Sequence, residues 1–161
     1  MVGGAGAVFG SGEMPSCSAR FDGVTMSLIS LLYISTSTLS ADEASHEVAR
    51  IVAVSRDFNA TADITGALLF TGPHFAQILE GDEAPVAALL EKLHHDPRHR
   101  DLRVVQRGPA MMRRCAGWNM AYSGSSTGVA SYVMRVLEAS NEATRTAAAR
   151  ALANLMVEFV G

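Results

Sequence analysis

The sequence predicts an α+β fold: a ferredoxin-like βαββαββ sheet with two helices on one face, plus C-terminal helices covering the other face. Three observations carry this reading. Short apolar runs and stretches of helical spacing follow one another in the order β-α-β-β-α-β-β, and two more helical patterns come after them. Gly72-Pro73 separates two strand-like runs, a hairpin signature. The apolar stripes of the two helices need one strand face as a partner, and the opposite face is too apolar to be left wet, so both faces take a covering layer.

The elements follow in order. Ser27–Ser35 (SLISLLYIS) is short, apolar and bounded by Ser and Thr, as a buried strand is. Ser40 and Glu43 form an S-x-x-E capping box. Behind it Ala44, Val48, Ile51, Val52 and Ser55 recur at helical spacing, which predicts a helix over Glu43–Phe58. Thr65–Thr71 and His74–Glu80 are the hairpin strands. Asp82 caps a second helix that tolerates Pro85 in its first turn. That helix carries Val86, Leu89, Leu90 and Leu93 and stops before Pro97. Leu102–Arg107 and Trp118–Tyr122 read as strands. In the tail, Val129, Val133, Val136 and Leu137 make one helical stripe, and Ala148, Leu152, Leu155, Met156 and Phe159 make another.

Composition limits the function classes. The chain has 161 residues, 48% of them hydrophobic, and a net charge of −3, enough for one core and too balanced for a nucleic-acid surface. Arg98, His99, Arg100 and Arg103, and then Arg107, Arg113 and Arg114, read as a solvated rim. Two cysteines, Cys17 and Cys115, are too few for a disulfide framework. No apolar run is long enough to span a membrane, and no signal peptide is recognisable. Free thiols in the cytoplasm are therefore expected. Residues 1–25, rich in Gly and Ser, read as a disordered or non-native extension, and Met26 fits a natural start. The domain then occupies 26–124 and a helical extension 125–161.

Two polar residues stand in apolar places. Alternation puts Ile29, Leu31 and Tyr33 on one strand face, and Phe75, Gln77 and Leu79 on the matching face of the third strand. In the split βαβ order those two strands are central neighbours. A buried glutamine without a partner costs about 1–3 kcal/mol, so something polar must meet it. The simpler reading is a Tyr–Gln hydrogen bond within a core. The sharper one is that both groups face a flat polar ligand held between the two helices. Leu28, Leu32, Ile34 and Ile78 mark the opposite face, to be covered by the C-terminal helices or a second subunit.

In these residues the chain resembles the BLUF family, sensors of blue light using FAD. The resemblance runs through LLYIS with Tyr33, SRDFN from Ser55 to Asn59, ITGALLF from Ile64 to Phe70, HFAQILEG from His74 to Gly81, HHDPRHRDLRVV, Arg113-Arg114, and GWNM from Gly117 to Met120. It covers about residues 27–122. The resemblance implies a non-covalently bound FAD, with FMN as the alternative, lying between the two helices over the sheet. By it, Tyr33 is the donor of an electron and then a proton, and Gln77 the amide that rearranges beside the ring. Asn59 bonds the ring's carbonyl edge, Trp118 and Met120 are the switching pair, and Asp96, His99 and Lys92 line the flavin side chain. Phe58 departs from the pattern, standing where the family has a polar Asn or His, which implies one ring contact fewer. A homo-oligomer, dimer or higher, and an unidentified downstream protein are the implied partners, with no nucleic acid, membrane or enzymatic activity involved.

Other readings of single features are weaker. His94, His95 and His99 suggest a metal site, but Pro97 breaks their helix and no Cys cluster supports them. Trp118 and Met120 are an ordinary core pair without the resemblance. Asp82 and Glu83 are helix-start acids, and Asp57 and Asp63 flank a loop. Gly66 and Gly81 form no phosphate loop. The competing functions are an acylphosphatase-like hydrolase, which would need an Arg and an Asn on a phosphate-cradling loop not found here, and an interaction module that no longer responds to light.

Overall fold

The computed structural model describes residues 28–117, 121–123 and 127–159. The predicted extension over residues 1–25, Cys17 within it, and Trp118 and Met120 all lie outside these described residues. The element order is β1 (Leu28–Ser37), α1 (Ala41–Thr61), β2 (Thr65–Phe70), β3 (His74–Asp82), α2 (Glu83–His94), β4 (His99–Pro109), β5 (Ala121–Ser123), α3 (Thr127–Leu137) and α4 (Glu142–Glu158). One five-stranded sheet has the order β4-β1-β3-β2-β5, so β1 and β3 are central neighbours as the split motif requires. β1 runs antiparallel to β3 and β4, β2 antiparallel to β3, and β5 parallel to β2.

The hairpin turns at Gly72, whose φ of 93° is one that only glycine adopts at little cost. Thr71 N–H donates to His74 O at 2.9 Å to close it. Gly66 has a different reason. A Cβ there would overlap the Ile78 carbonyl oxygen of the neighbouring strand, so β2 and β3 approach this closely only without a side chain.

Several boundaries differ from expectation. Helix α1 runs from Ala41 to Thr61, longer at both ends, and so contains Asp57 and Asn59 instead of leaving them in or beside a loop. It stops where Asp63 takes a positive φ of 51°. The expected caps form only in part. Ser40 donates its hydroxyl to Glu43 Oε2 at 2.5 Å and makes no side-chain bond to the helix backbone. Asp82 likewise sits at the N-cap position of α2 without a side-chain cap bond. Strand β4 is longer than the apolar stretch Leu102–Arg107, because backbone pairing with β1 carries it from His99 to Pro109 whatever the side chains. Two register shifts along β1 and β4 irregularise this edge, which discourages pairing with another chain.

The sheet is covered on both sides. Ile29, Leu31, Tyr33 and Leu79 pack under α1 and α2 with Ile64 and Val86. Leu32, Ile34 and Ile78 pack on the other face against Val133 and Val136 of α3 and Leu152 of α4. The chain's own tail helices therefore cover this face. Burying each such aliphatic side chain contributes about 1.5–3 kcal/mol. Phe159, expected to extend the α4 stripe, follows the helix end and is exposed. Among the described residues no helix is long and apolar enough to cross a membrane.

Candidate functional site

Tyr33 and Gln77 are direct cross-strand partners on β1 and β3. Their side chains point to the helix-covered face, 0% and 4% exposed. The Tyr33 hydroxyl donates to Gln77 Oε1 at 2.5 Å. Both sequence readings allow this bond, and it takes up only part of the amide. The phenol holds the carbonyl end of the amide, and Gln77 is engaged in a further interaction as well. Burial pushes the phenol's pKa well above the ordinary range, and the Asp96 charge adds to the effect, so Tyr33 keeps its proton on oxygen.

Asn59 lies in the last turn of α1 and is wholly buried. Its main-chain carbonyl accepts from Ile64 N–H at 2.8 Å, which holds the chain as it leaves the helix. Asn59 has a further interaction, and among the described residues its Oδ1 accepts no hydrogen bond. Phe58 next to it meets α2: Lys92 Nζ lies 4.1 Å from the Phe58 ring centroid. Phe58 thus bridges the two helices.

His99, at the start of β4, completes the group. Its Nδ1 is 2.8 Å from Ser35 Oγ, its ring stands edge-on to Tyr33 with centroids 6.3 Å apart, and it lies 4.6 Å from Phe75. Burial lowers the imidazole pKa; the Asp96 charge opposes this and the Arg98 charge reinforces it. Asp96 pairs with Arg98, Oδ2 to Nη2 at 2.6 Å. Burial alone would raise the Asp96 pKa, but the hydrogen bonds and charge of Arg98, helped by His99, outweigh it and hold the carboxyl below its usual value. Arg98 also reaches Glu47 of α1 at 3.8 Å. Between α1 and the α2–β4 turn opens a cleft of about 530 Å³, walled by Glu47, Arg50, Lys92, Asp96, Pro97 and Arg98.

Among the residues singled out from sequence, the structure joins Tyr33, Gln77 and His99 directly and sets Asp96 beside His99. Lys92 and Asp96 share the cleft wall, and Asn59 lies one residue from the Phe58–Lys92 contact. Ser35 was not singled out, and Arg98 was read only as part of a solvated rim, whereas it is partly buried and paired with Asp96. Ser35 continues the Ile29-Leu31-Tyr33 alternation and pairs with Phe75, so the same period would have found it. The Asp96–Arg98 pair sits in a turn, where no periodic signal exists. Among the described residues no cluster of His, Cys, Asp or Glu is arranged to hold a metal ion.

A buried phenol and two buried amides, set in an apolar shell between two helices, offer donors and acceptors to the polar edge of a flat heteroaromatic ring. The cations at the cleft suit a phosphate-bearing side chain. The residues present therefore fit a flavin nucleotide.

Comparisons with known proteins assign the chain to a family. The family model for sensors of blue-light using FAD, BLUF, matches residues 28–121. The Blue light- and temperature-regulated antirepressor BluF of Escherichia coli K12 is 38% identical over 72 residues, 45% of this chain and 17% of that protein. Photoactivated adenylate cyclase subunit alpha of Euglena gracilis is 29% identical over 115 residues, 71% of this chain and 11% of that protein. The chain thus spans less than a fifth of the length of these curated relatives. Among solved structures, the dark state of BlrB, a BLUF protein, superposes with a TM-score of 0.63 at 30% identity, covering 79% of this chain and 99% of that one. Klebsiella pneumoniae BlrP1 with FMN and cyclic diGMP gives 0.55 at 33% identity over 60% of this chain and 26% of that one. The ground state of BlsA shares the fold with a TM-score of 0.68 at 21% identity, covering 81% and 87%. The chain belongs to the BLUF family, the sensors of blue light using FAD.

Proposed function

We propose that this chain binds FAD between α1 and α2 and reports blue light through the hydrogen bonds of Tyr33 and Gln77. The observation that carries the reading is the buried Tyr33–Gln77 bond on the helix-covered face. When bound, the flavin supplies absorption of blue light and an acceptor for an electron. Tyr33 holds a proton that its surroundings keep on oxygen in the dark. Gln77 can present either end of its amide, so one rotation or tautomer change exchanges donor for acceptor without moving the backbone. Asn59 holds the ring's polar edge, and Lys92, Asp96 and His99 line the side chain. FAD follows the family description, and the FMN named with BlrP1 makes FMN the alternative ligand. Trp118 and Met120, by resemblance, pass the change onward.

In this reading the chain is a sensor acting in the cytoplasm, without catalysis of its own. Its site groups, a phenol and two amides, hold and exchange hydrogen bonds. Residues 26–124 form the sensor and 125–161 the extension that hands the change to a protein partner or a second copy. The cyclase named for the Euglena relatives belongs to those proteins. The test is the absorption spectrum of purified, FAD-loaded protein. It should be yellow and show a small, reversible red shift after blue light. Tyr33→Phe or Gln77→Ala should abolish the shift while flavin stays bound. A colourless protein that cannot be loaded with flavin overturns the proposal.

A further inference from the structure

The sheet face away from the site carries one feature that the light reading leaves unused. Glu80 is the one acidic side chain among the described residues that is wholly buried. It lies on β3, three residues after Gln77, and by the two-residue period it projects to the opposite face. Its Oε2 accepts from Cys115 N–H at 2.9 Å and from Thr65 Oγ1 at 3.5 Å, and its Oε1 from Ser30 Oγ at 3.4 Å. Arg113 adds a second tie. Its Nη1 donates to the Glu80 main-chain oxygen at 3.2 Å, while its Nη2 pairs with Asp63 at 2.7 Å. The chain that follows β4 is thus fastened at two points to the strand that carries Gln77.

An apolar residue would fill this core position without the desolvation that a carboxyl brings. Cys115, buried in the core against the tail helices, would then have no acceptor for its amide. In sequence, Trp118 follows Cys115 by three residues and is the chain's single tryptophan.

We propose that Glu80 is a positioning residue of the light response: its carboxyl fixes the chain at Cys115 to β3, so that a shift of β3 begun at Gln77 is delivered to the segment leading to Trp118. The proposal rests on the light-sensing reading of Tyr33 and Gln77. It adds that β3 joins the two faces of the sheet mechanically.

The experiment uses the full chain loaded with FAD and two readouts. In the dark, exchange of the Cys115 amide hydrogen should be slow, and about tenfold faster in Glu80→Ala, the effect of losing one buried hydrogen bond. Trp118 emission and its quenching by acrylamide should differ between dark and illuminated protein. In Glu80→Ala that difference should vanish while the flavin red shift keeps its size, and Glu80→Gln, which retains an acceptor, should restore much of it. A purely structural Glu80 would change stability and leave the light–dark difference of Trp118 intact, which overturns the proposal. So does an unprotected Cys115 amide in the unmodified protein, a result that needs no variant to fold. Absence of any red shift in the unmodified protein defeats the light-sensing reading instead, and the dark exchange of Cys115 still tests the tether.

Discussion

The two faces of the sheet use the same strands and are buried to the same depth, yet their centres differ in chemistry. Under α1 and α2 the centre holds Tyr33, Ser35 and Gln77, with Asn59 and His99 beside them. Under α3 and α4 the centre is Leu32, Ile34, Leu69 and Ile78 against valines and Leu152, with Glu80 as the acidic exception. The second face shows that these strands need no polar group at their centre in order to pack. The polar set on the first face is therefore a cost to stability, which a site accounts for. β3 belongs to both faces, carrying Gln77 on one and Glu80 on the other.

The comparison can be tested by weakening each face in turn. The largest loss of stability is expected on the apolar face. Leu152→Ala should lower the unfolding free energy by about 2–5 kcal/mol, read from urea denaturation. A loss below about 1 kcal/mol would mean that the tail helices are not part of the same core. On the polar face, Tyr33→Phe leaves Gln77 Oε1 without its donor and should cost about 1–3 kcal/mol, while abolishing the light-induced shift. Here function should fall further than stability, the reverse of Leu152→Ala.

Acid should also act on the polar face. His99 titrates lower in the folded chain than its ordinary 6.5, because burial disfavours the cation. As pH falls below 6.5 the unfolded chain takes up this proton first. The contribution is full above that pH and is lost toward the folded value. Asp96, held below 3.8 when folded, contributes above that pH and loses its contribution as pH falls through its lowered value. Both losses lie on the acid side. Urea midpoints measured from pH 7.5 down to 5 should therefore fall, and His99→Gln should flatten the slope; a slope unchanged in that variant removes His99 from the account. The smallest effect is expected at the exposed Arg107–Glu83 pair, 2.7 Å apart. Arg107→Ala should change stability by no more than about 1 kcal/mol and leave the light response as it is.

Much of the helix-covered face was legible in the sequence. Alternation over runs of nine and seven residues placed Tyr33 and Gln77 on it, and the split βαβ order made their strands neighbours. The family resemblance then supplied Asn59, Lys92, Asp96 and His99, which no period picks out. Asn59 was expected beyond the helix because the capping signals mark where α1 begins, whereas its end depends on Asp63 adopting a positive φ. β4 was read too short because its side chains are mostly polar and its length comes from backbone pairing with β1.

The order of elements, the two faces of each strand and the pair of polar residues out of place can all be read from the amino-acid order alone. These follow from periods of 2 and 3.6 residues and from turn chemistry, all of them local. The bond of Tyr33 to Gln77, the hold of Ser35 and Phe75 on His99, the meeting of Phe58 with Lys92 across two helices and the grip of Glu80 on the Cys115 amide arise from the folded arrangement. Those contacts join residues 24 to 64 positions apart in sequence. No local pattern encodes them, because they exist only once the sheet and its two layers have closed.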